Sequence, residues 1–224
     1  MQKKQKKFKA VLFDLDGTLV DTSGDLAEAL NFVLVSEKKP PLPASVIREV
    51  CSDGVKGLLQ LAFQMDEKHP DYYFFRDKIV HYYFNHIHEK SFLFEGMQDV
   101  LITLEEKKIP WGIVTNKPAH LTHKLLEKLN LNARAACVVS GDTLPERKPH
   151  PAPLLYAAKL LNIEPSACCY VGDAERDIEA AKAANMYSVA ALYGFLHSRI
   201  DPSLWMADAY IQAPGELLKI LDFD

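Results

Sequence analysis

Asp14 and Asp16 stand two residues apart in the stretch Asp14-Leu15-Asp16-Gly17-Thr18, and carboxylates recur in Gly172-Asp173-Ala174-Glu175-Arg176-Asp177. Gathered at one place, Asp14, Asp16, Asp173 and Asp177 would repel one another, and their pKa values would rise unless a cation shared the site. All-oxygen ligation by few protein groups suits Mg²⁺, which keeps several waters and commonly bridges to a substrate phosphate. The metal expectation therefore brings a phosphate expectation with it. An ionised Asp14 beside Mg²⁺ can attack phosphorus, splitting a difficult displacement into two easier ones through an acyl-phosphate. Asp16 projects to the same side of an extended chain, so it can protonate the leaving alkoxide and later deprotonate the water that frees Asp14. Lys148 would offset charge on Asp14 and the phosphoryl oxygens, while Thr115 and Asn116 would donate hydrogen bonds to those oxygens.

For these residues to meet, the chain must bring distant segments to one crevice. Residues 9–13 form a short apolar run closed by polar residues and Gly17, which reads as a buried strand. From Asp25 to about Ser36, apolar residues at Leu26, Ala29, Leu30, Val33 and Leu34 trace a helical stripe. Pro40, Pro41 and Pro43 interrupt it. Helical patterns resume around Leu58, Leu59, Ala62 and Phe63 and around Tyr72, Phe75, Ile79, Tyr82 and Tyr83. With no strand signal there, residues 20–90 read as an all-helical unit with an aromatic interior.

After Gly96 the pattern alternates. Strands are expected over residues 111–114, 136–139, 168–171, 187–190 and 208–211, each preceded or followed by a helical stretch. Such alternation implies an α/β fold, a doubly wound parallel sheet of Rossmann type covered on both faces. Residues 1–19 and 91–224 would form the core domain, and 20–90 an inserted helical domain. Ligands bind such sheets at the carboxyl ends of strands, where Asp14, Thr115, Asn116 and Asp173 fall in the sequence.

Composition narrows the class further. The chain's 224 residues, 48% of them apolar, can bury a sizeable core, and a net charge of -4 offers nucleic acid no general attraction. Lys3, Lys4, Lys6, Lys7 and Lys9 resemble the start of a signal peptide, but the apolar run after them is cut short by Asp14. No stretch approaches the roughly 20 apolar residues of a membrane span. Cys51, Cys137, Cys168 and Cys169 have no C-x-x-C spacing and suit reduced core thiols. The expectation is a cytoplasmic protein, a monomer or weak dimer, acting on a small-molecule phosphate ester without nucleic acid or membrane.

The segments DLDGTLVDT, VTNK, KPHP and GDAERD resemble, in order, the four motifs of the haloacid dehalogenase superfamily. The resemblance implies Asp14 as nucleophile, Asp16 as acid and base, Thr115 and Lys148 as phosphate binders. It also implies Asp14, the Asp16 carbonyl and Asp173 as metal ligands, with Asp177 beside them. The helical block resembles this superfamily's cap, which closes over the crevice and excludes water. Its loop Cys51-Ser52-Asp53-Gly54-Val55-Lys56-Gly57 is similar in placement to the family's specificity loop, with Lys56 the candidate substrate contact. The segments Arg147-Lys148-Pro149-His150-Pro151-Ala152-Pro153, Asp201-Pro202 and Trp205-Met206-Ala207-Asp208 resemble the branch of phosphoglycolate and N-acetylmuramic acid 6-phosphate phosphatases. The first substrate expectation is 2-phosphoglycolate.

Each of these residues also has a simpler structural reading. Asp14 to Gly17 does not fit an EF-hand, since Gly17 stands fourth where that loop needs Gly sixth. Asp177 can serve as a helix cap, and Thr115 and Asn116 as turn residues before Pro118. Lys148 and Lys56 taken alone would be surface charge. The histidines lack partners at metal-binding spacing, and His150 is left open. A sugar phosphomutase shares every motif, whereas the absence of a phosphate-binding G-x-x-x-x-G-K-[ST] loop disfavours an ATP-driven kinase.

Overall fold

Four consecutive apolar side chains, none exposed to solvent, make Ala10–Phe13 (β1) a strand suited only to the middle of a sheet covered on both faces. In the computed structural model, which describes residues 8–221, β1 is followed by the two-residue strand Val20–Asp21 (β2). Four helices come next, Ser23–Ser36 (α1), Ala44–Arg48 (α2), Gly54–Phe63 (α3) and Tyr72–Asn85 (α4). Phe92–Leu93 (β3) closes this excursion by pairing antiparallel with β2. The chain then alternates through Met97–Glu106 (α5), Trp111–Val114 (β4), Ala119–Lys128 (α6), Cys137–Val139 (β5) and Ala152–Leu161 (α7). It ends with Cys168–Gly172 (β6), Glu175–Ala183 (α8), Tyr187–Ala191 (β7), Ala209–Ile211 (β8) and Glu216–Leu221 (α9). The basic residues Lys3, Lys4, Lys6 and Lys7 lie outside the described residues.

The main sheet has the order β5-β4-β1-β6-β7-β8, and every pairing in it is parallel. The chain winds outward from β1 through β4 to β5, then returns to β6 on the other side and winds outward again. Strand β1 therefore borders the place where winding reverses, and loops leaving the carboxyl ends of β1, β4 and β6 part there into a crevice. Side chains alternate between two apolar layers: Val11, Phe13, Ile113, Cys169 and Val171 enter one, and Ala10, Leu12, Val114, Cys168 and Tyr170 the other. The four cysteines are buried, and adjacent Cys168 and Cys169 point to opposite layers.

Helix α1 buries Leu26, Ala29, Leu30, Val33 and Leu34, the stripe its spacing predicts. It packs against α4, whose Ile79 and Tyr83 are buried, and Phe63 of α3 stacks on Phe75 at 4.7 Å. The interior of these helices is continuous with one layer of the sheet's core.

One expectation is corrected: residues 20–90 are not wholly helical, because β2 begins at Val20. Two-residue strands are too short to show alternation, so the pairing of β2 with β3 leaves no periodic trace in the sequence. Other element ends shift by a residue or two, as helix and strand termini commonly do.

Candidate active site

Asp14 follows the last residue of β1, and its backbone N–H donates to the Val171 carbonyl of β6 at 2.9 Å. This continues the ladder one residue past the strand and places the carboxylate at the sheet's upper edge. Lys148, on the loop between β5 and α7, has no side-chain exposure. Its Nζ lies 2.9 Å from Asp14 Oδ1, 2.7 Å from Asp177 Oδ1 and 2.8 Å from the Tyr170 hydroxyl. Tyr170 in turn donates to the Val114 carbonyl at 2.9 Å. One buried cation thus joins two carboxylates and a phenol contributed by β1, β6 and α8.

Asp173 enters directly after β6. Its carboxylate accepts from the Ser52 hydroxyl at 2.7 Å, the Phe195 N–H at 2.9 Å and the Thr18 hydroxyl at 3.4 Å. Gly17 allows this approach: it has φ +82, and a Cβ there would lie 2.1 Å from Asp173 Oδ2. Gly172 does the same for Asp177, whose Cγ would lie 2.4 Å from an added Cβ. Asp177 also accepts from the Ala174 N–H at 3.1 Å, so it caps α8 as well as pairing with Lys148.

Asp14, Asp173 and Asp177 each offer a carboxylate oxygen within 4.8 Å of the others, and all three are buried. Burial, opposed by Lys148 and reinforced by Asp177, raises the Asp14 carboxyl above its ordinary range. Burial and then the charges of Asp14 and Asp177 push Asp173 up to about 7. Such acids ionise together more readily with a hard cation between them. The all-oxygen donors, held close by glycines that leave no room for a methyl, fit a divalent ion.

The Asp16 carboxylate stands apart from that cluster. Lys117 Nζ reaches its two oxygens at 2.9 and 3.2 Å, and the Thr22 hydroxyl donates to it at 2.7 Å. Lys117 also donates to the Tyr83 hydroxyl of α4 at 2.9 Å. Burial alone would lower the Lys117 ammonium, but Asp16 and Tyr83 beside it raise it above the usual lysine range. Thr115 is buried, and its hydroxyl accepts from the Lys117 N–H at 3.2 Å. Asn116 clasps the Lys148 loop, donating to the Lys148 carbonyl at 3.0 Å and accepting from its N–H at 3.1 Å.

Lys56 lies further out. Its side chain is 63% exposed and pairs loosely with Glu67 at 3.8 Å, at the edge of a cleft that Asn116 also borders. The exposed His150 accepts the Ala152 N–H at 3.2 Å, the bond of a turn leading into α7. Sequence spacing singles out neither Lys117, inside VTNK, nor Arg176, inside GDAERD, nor Tyr170 as site residues, and it shows Ser52 and Tyr83 only as members of a loop and a helical stripe.

A family model described as haloacid dehalogenase-like hydrolase matches residues 11–191. A phosphoglycolate phosphatase of Xanthomonas campestris pv. campestris is 41% identical over 213 residues, 93% of this chain and 94% of that protein. An N-acetylmuramic acid 6-phosphate phosphatase of Pseudomonas putida is 35% identical over 216 residues, 96% of this chain and 97% of that protein. The crystal structure of a protein from Haemophilus somnus 129PT, described as a predicted phosphoglycolate phosphatase, superposes with a TM-score of 0.85 at 27% identity. The match covers 96% of this chain and 98% of that one.

Proposed function

Since this chain belongs to the haloacid dehalogenase-like hydrolase family, we propose that it releases phosphate from a small metabolite through an aspartyl-phosphate on Asp14, with Mg²⁺ as its metal. It is a phosphoric monoester hydrolase. The observation that carries the finer reading is the single corner where Asp14 meets both Lys148, at 2.9 Å, and the carboxylates of Asp173 and Asp177.

In this reading Asp14 attacks phosphorus in line with the departing alkoxide, and Lys148 offsets charge on the phosphoryl oxygens. Thr115 and Asn116 lie at the same corner, and Asn116 acts chiefly by fixing the Lys148 loop. Asp16 protonates the leaving group and then takes a proton from the water that frees Asp14. To do so it turns from Lys117 and Thr22 toward the reacting oxygen. Asp14, Asp173 and the Asp16 carbonyl, with Asp177 behind them, would hold Mg²⁺, which supplies neutralising charge among the carboxylates and phosphoryl oxygens.

The segment 20–90 serves as a cap in this proposal, and β2 with β3 forms its hinge to the core. Ser52 reaching Asp173 and Tyr83 reaching Lys117 support that role, because both bonds join the helical segment to the catalytic corner. The substrate proposed first is 2-phosphoglycolate, and N-acetylmuramic acid 6-phosphate is favoured second by the cleft of about 720 Å³ beside Asn116, which has room for a sugar. The enzyme would work in the cytoplasm as a monomer or weak dimer, with its buried thiols reduced.

The test is phosphate release from both esters, with Mg²⁺ or with chelator, by the native protein and by Asp14→Asn. Release that needs the metal and vanishes in the variant is expected. Equal turnover in Asp14→Asn rules out the covalent route.

A further inference from the structure

Arg176 takes no part in the chemistry described above. Its side chain is nevertheless only 23% exposed, and it stands in the first turn of α8, where a positive charge opposes the helix dipole. The acids nearest the reaction do not hold it there by hydrogen bonds. Instead its guanidinium reaches the loop before α3: Nη2 donates to the Ser52 carbonyl, and Nη1 donates to Asp53 Oδ1 at 3.2 Å. Two of its five N–H groups are used in this way, and the others meet no acceptor among the described residues.

The same side chain forms one wall of the cleft of about 720 Å³, together with Val50, Lys56, Gln60, Met65 and Asn116. Asn116, which clasps the Lys148 loop, borders this cleft, and Arg176 also lines a cavity of about 320 Å³ together with Asp173 of the catalytic corner. Both esters named above carry a carboxylate besides their phosphate, one on the glycolate and one on the lactyl ether of the sugar.

Resting on the phosphatase reading, we infer that Arg176 recognises the carboxylate of the leaving group, and that Asp53 occupies its fork until a substrate carboxylate displaces it. Asp53 is suited to the stand-in role. Its side chain is 65% exposed at the start of α3, so it can swing into water at little cost. Arg176 suits the recognition role better than Lys56 does. A planar, partly buried guanidinium can bind both oxygens of a carboxylate, whereas Lys56 is a hydrated point charge in the open.

The test uses two matched pairs of esters, titrated calorimetrically into the Asp14→Asn protein so that turnover does not intervene. One pair is 2-phosphoglycolate and 2-hydroxyethyl phosphate; the other is N-acetylmuramic acid 6-phosphate and N-acetylglucosamine 6-phosphate. At least one carboxylated ester should bind about tenfold to a hundredfold tighter than its neutral partner, the range of a hydrogen bond to a charged group. The pair that shows it identifies the source of the carboxylate. Adding Arg176→Gln should collapse that ratio, while Asp53→Asn on the surface should strengthen binding of the carboxylated ester more than of the neutral one. Equal affinities in both pairs, or a preference that survives Arg176→Gln, would overturn the assignment. Unchanged or weaker binding in Asp53→Asn would overturn the stand-in role. Wild-type turnover of p-nitrophenyl phosphate judges the phosphatase reading separately: its absence sinks that reading, and the calorimetric ratio still decides Arg176.

Discussion

On the sheet side of the crevice, Asp14, Lys148, Asp173 and Asp177 are each no more than 4% exposed, and their charges act on one another with little water between them. On the helical side, Arg48, Asp53 and Lys56 have side chains 34%, 65% and 63% exposed, and they pair with Asp21, Arg176 and Glu67, so each pair has at least one member open to water. The difference teaches where each kind of work belongs. A buried charge loses its hydration and must keep its partner, which makes the sheet side rigid and intolerant of change. An exposed pair contributes little and exchanges readily, which leaves the helical side free to vary with the substrate.

Mutation can break or sharpen that contrast. Asp14→Asn should have the largest effect, lowering phosphate release by about 10⁴-fold or more, as removal of a nucleophile does elsewhere; p-nitrophenyl phosphate turnover measures it. Lys148→Met should follow. It leaves Asp14 and Asp177 buried without their cation and should destabilise the fold by about 3–5 kcal/mol, read from urea denaturation. A loss below about 1 kcal/mol would mean the sheet side is wetter than its burial implies.

Magnesium should come third, raising stability by up to about 2.7 kcal/mol at a hundredfold excess over its dissociation constant. The sign of its pH dependence follows from Asp173. Its folded pKa, about 7, lies above the unfolded value, so the metal-free protein is favoured while that carboxyl is protonated and loses stability as pH rises through 7. Melting curves at pH 5.5 and 8 should therefore show the larger metal-induced rise at pH 8. Equal rises would remove Asp173 from the site.

Tyr83→Phe, which deletes the hydroxyl accepting from buried Lys117, should cost about 1–2 kcal/mol in the same denaturation assay. The smallest effect belongs to Lys56→Gln. Its stability should stay within about 0.5 kcal/mol of the native protein, because its ion pair with Glu67 is long and exposed. A larger loss would contradict the separation of the two sides.

The sheet side was far more legible in the sequence than the helical side, for a physical reason. Parallel strands bury apolar runs and release the chain at their carboxyl ends, so Asp14, Thr115 and Asp173 announce themselves as the first polar residues after such runs. Nothing comparable marks Ser52, whose hydroxyl meets Asp173 only because an intervening loop folds back across the crevice. Lys117 lies on the connection between β4 and α6 and Tyr83 on α4, and a bond between a loop and a distant helix leaves no trace in sequence periodicity. Asn116 shows the converse problem. Its position suggested a phosphate donor, but the tertiary structure joins its amide to the backbone of Lys148, a contact between two loops that spacing does not encode.

Because β1 sits mid-sheet, with Ala10 in register against Cys168 and Val11 against Trp111, the strand bearing Asp14 has to wait for its neighbours. Val171, the partner that receives the Asp14 backbone N–H, is far from it in sequence and is reached only after the intervening helices and β4 and β5. Pairing β1 with β6 therefore closes a long loop, a non-local step that is slow and leaves apolar strand edges open to misassembly until it is complete. The corner that gathers Asp14, Lys148, Asp173 and Asp177 therefore exists only once β1, β6 and the loops beside them have assembled, so completing the sheet and completing the candidate site are one event.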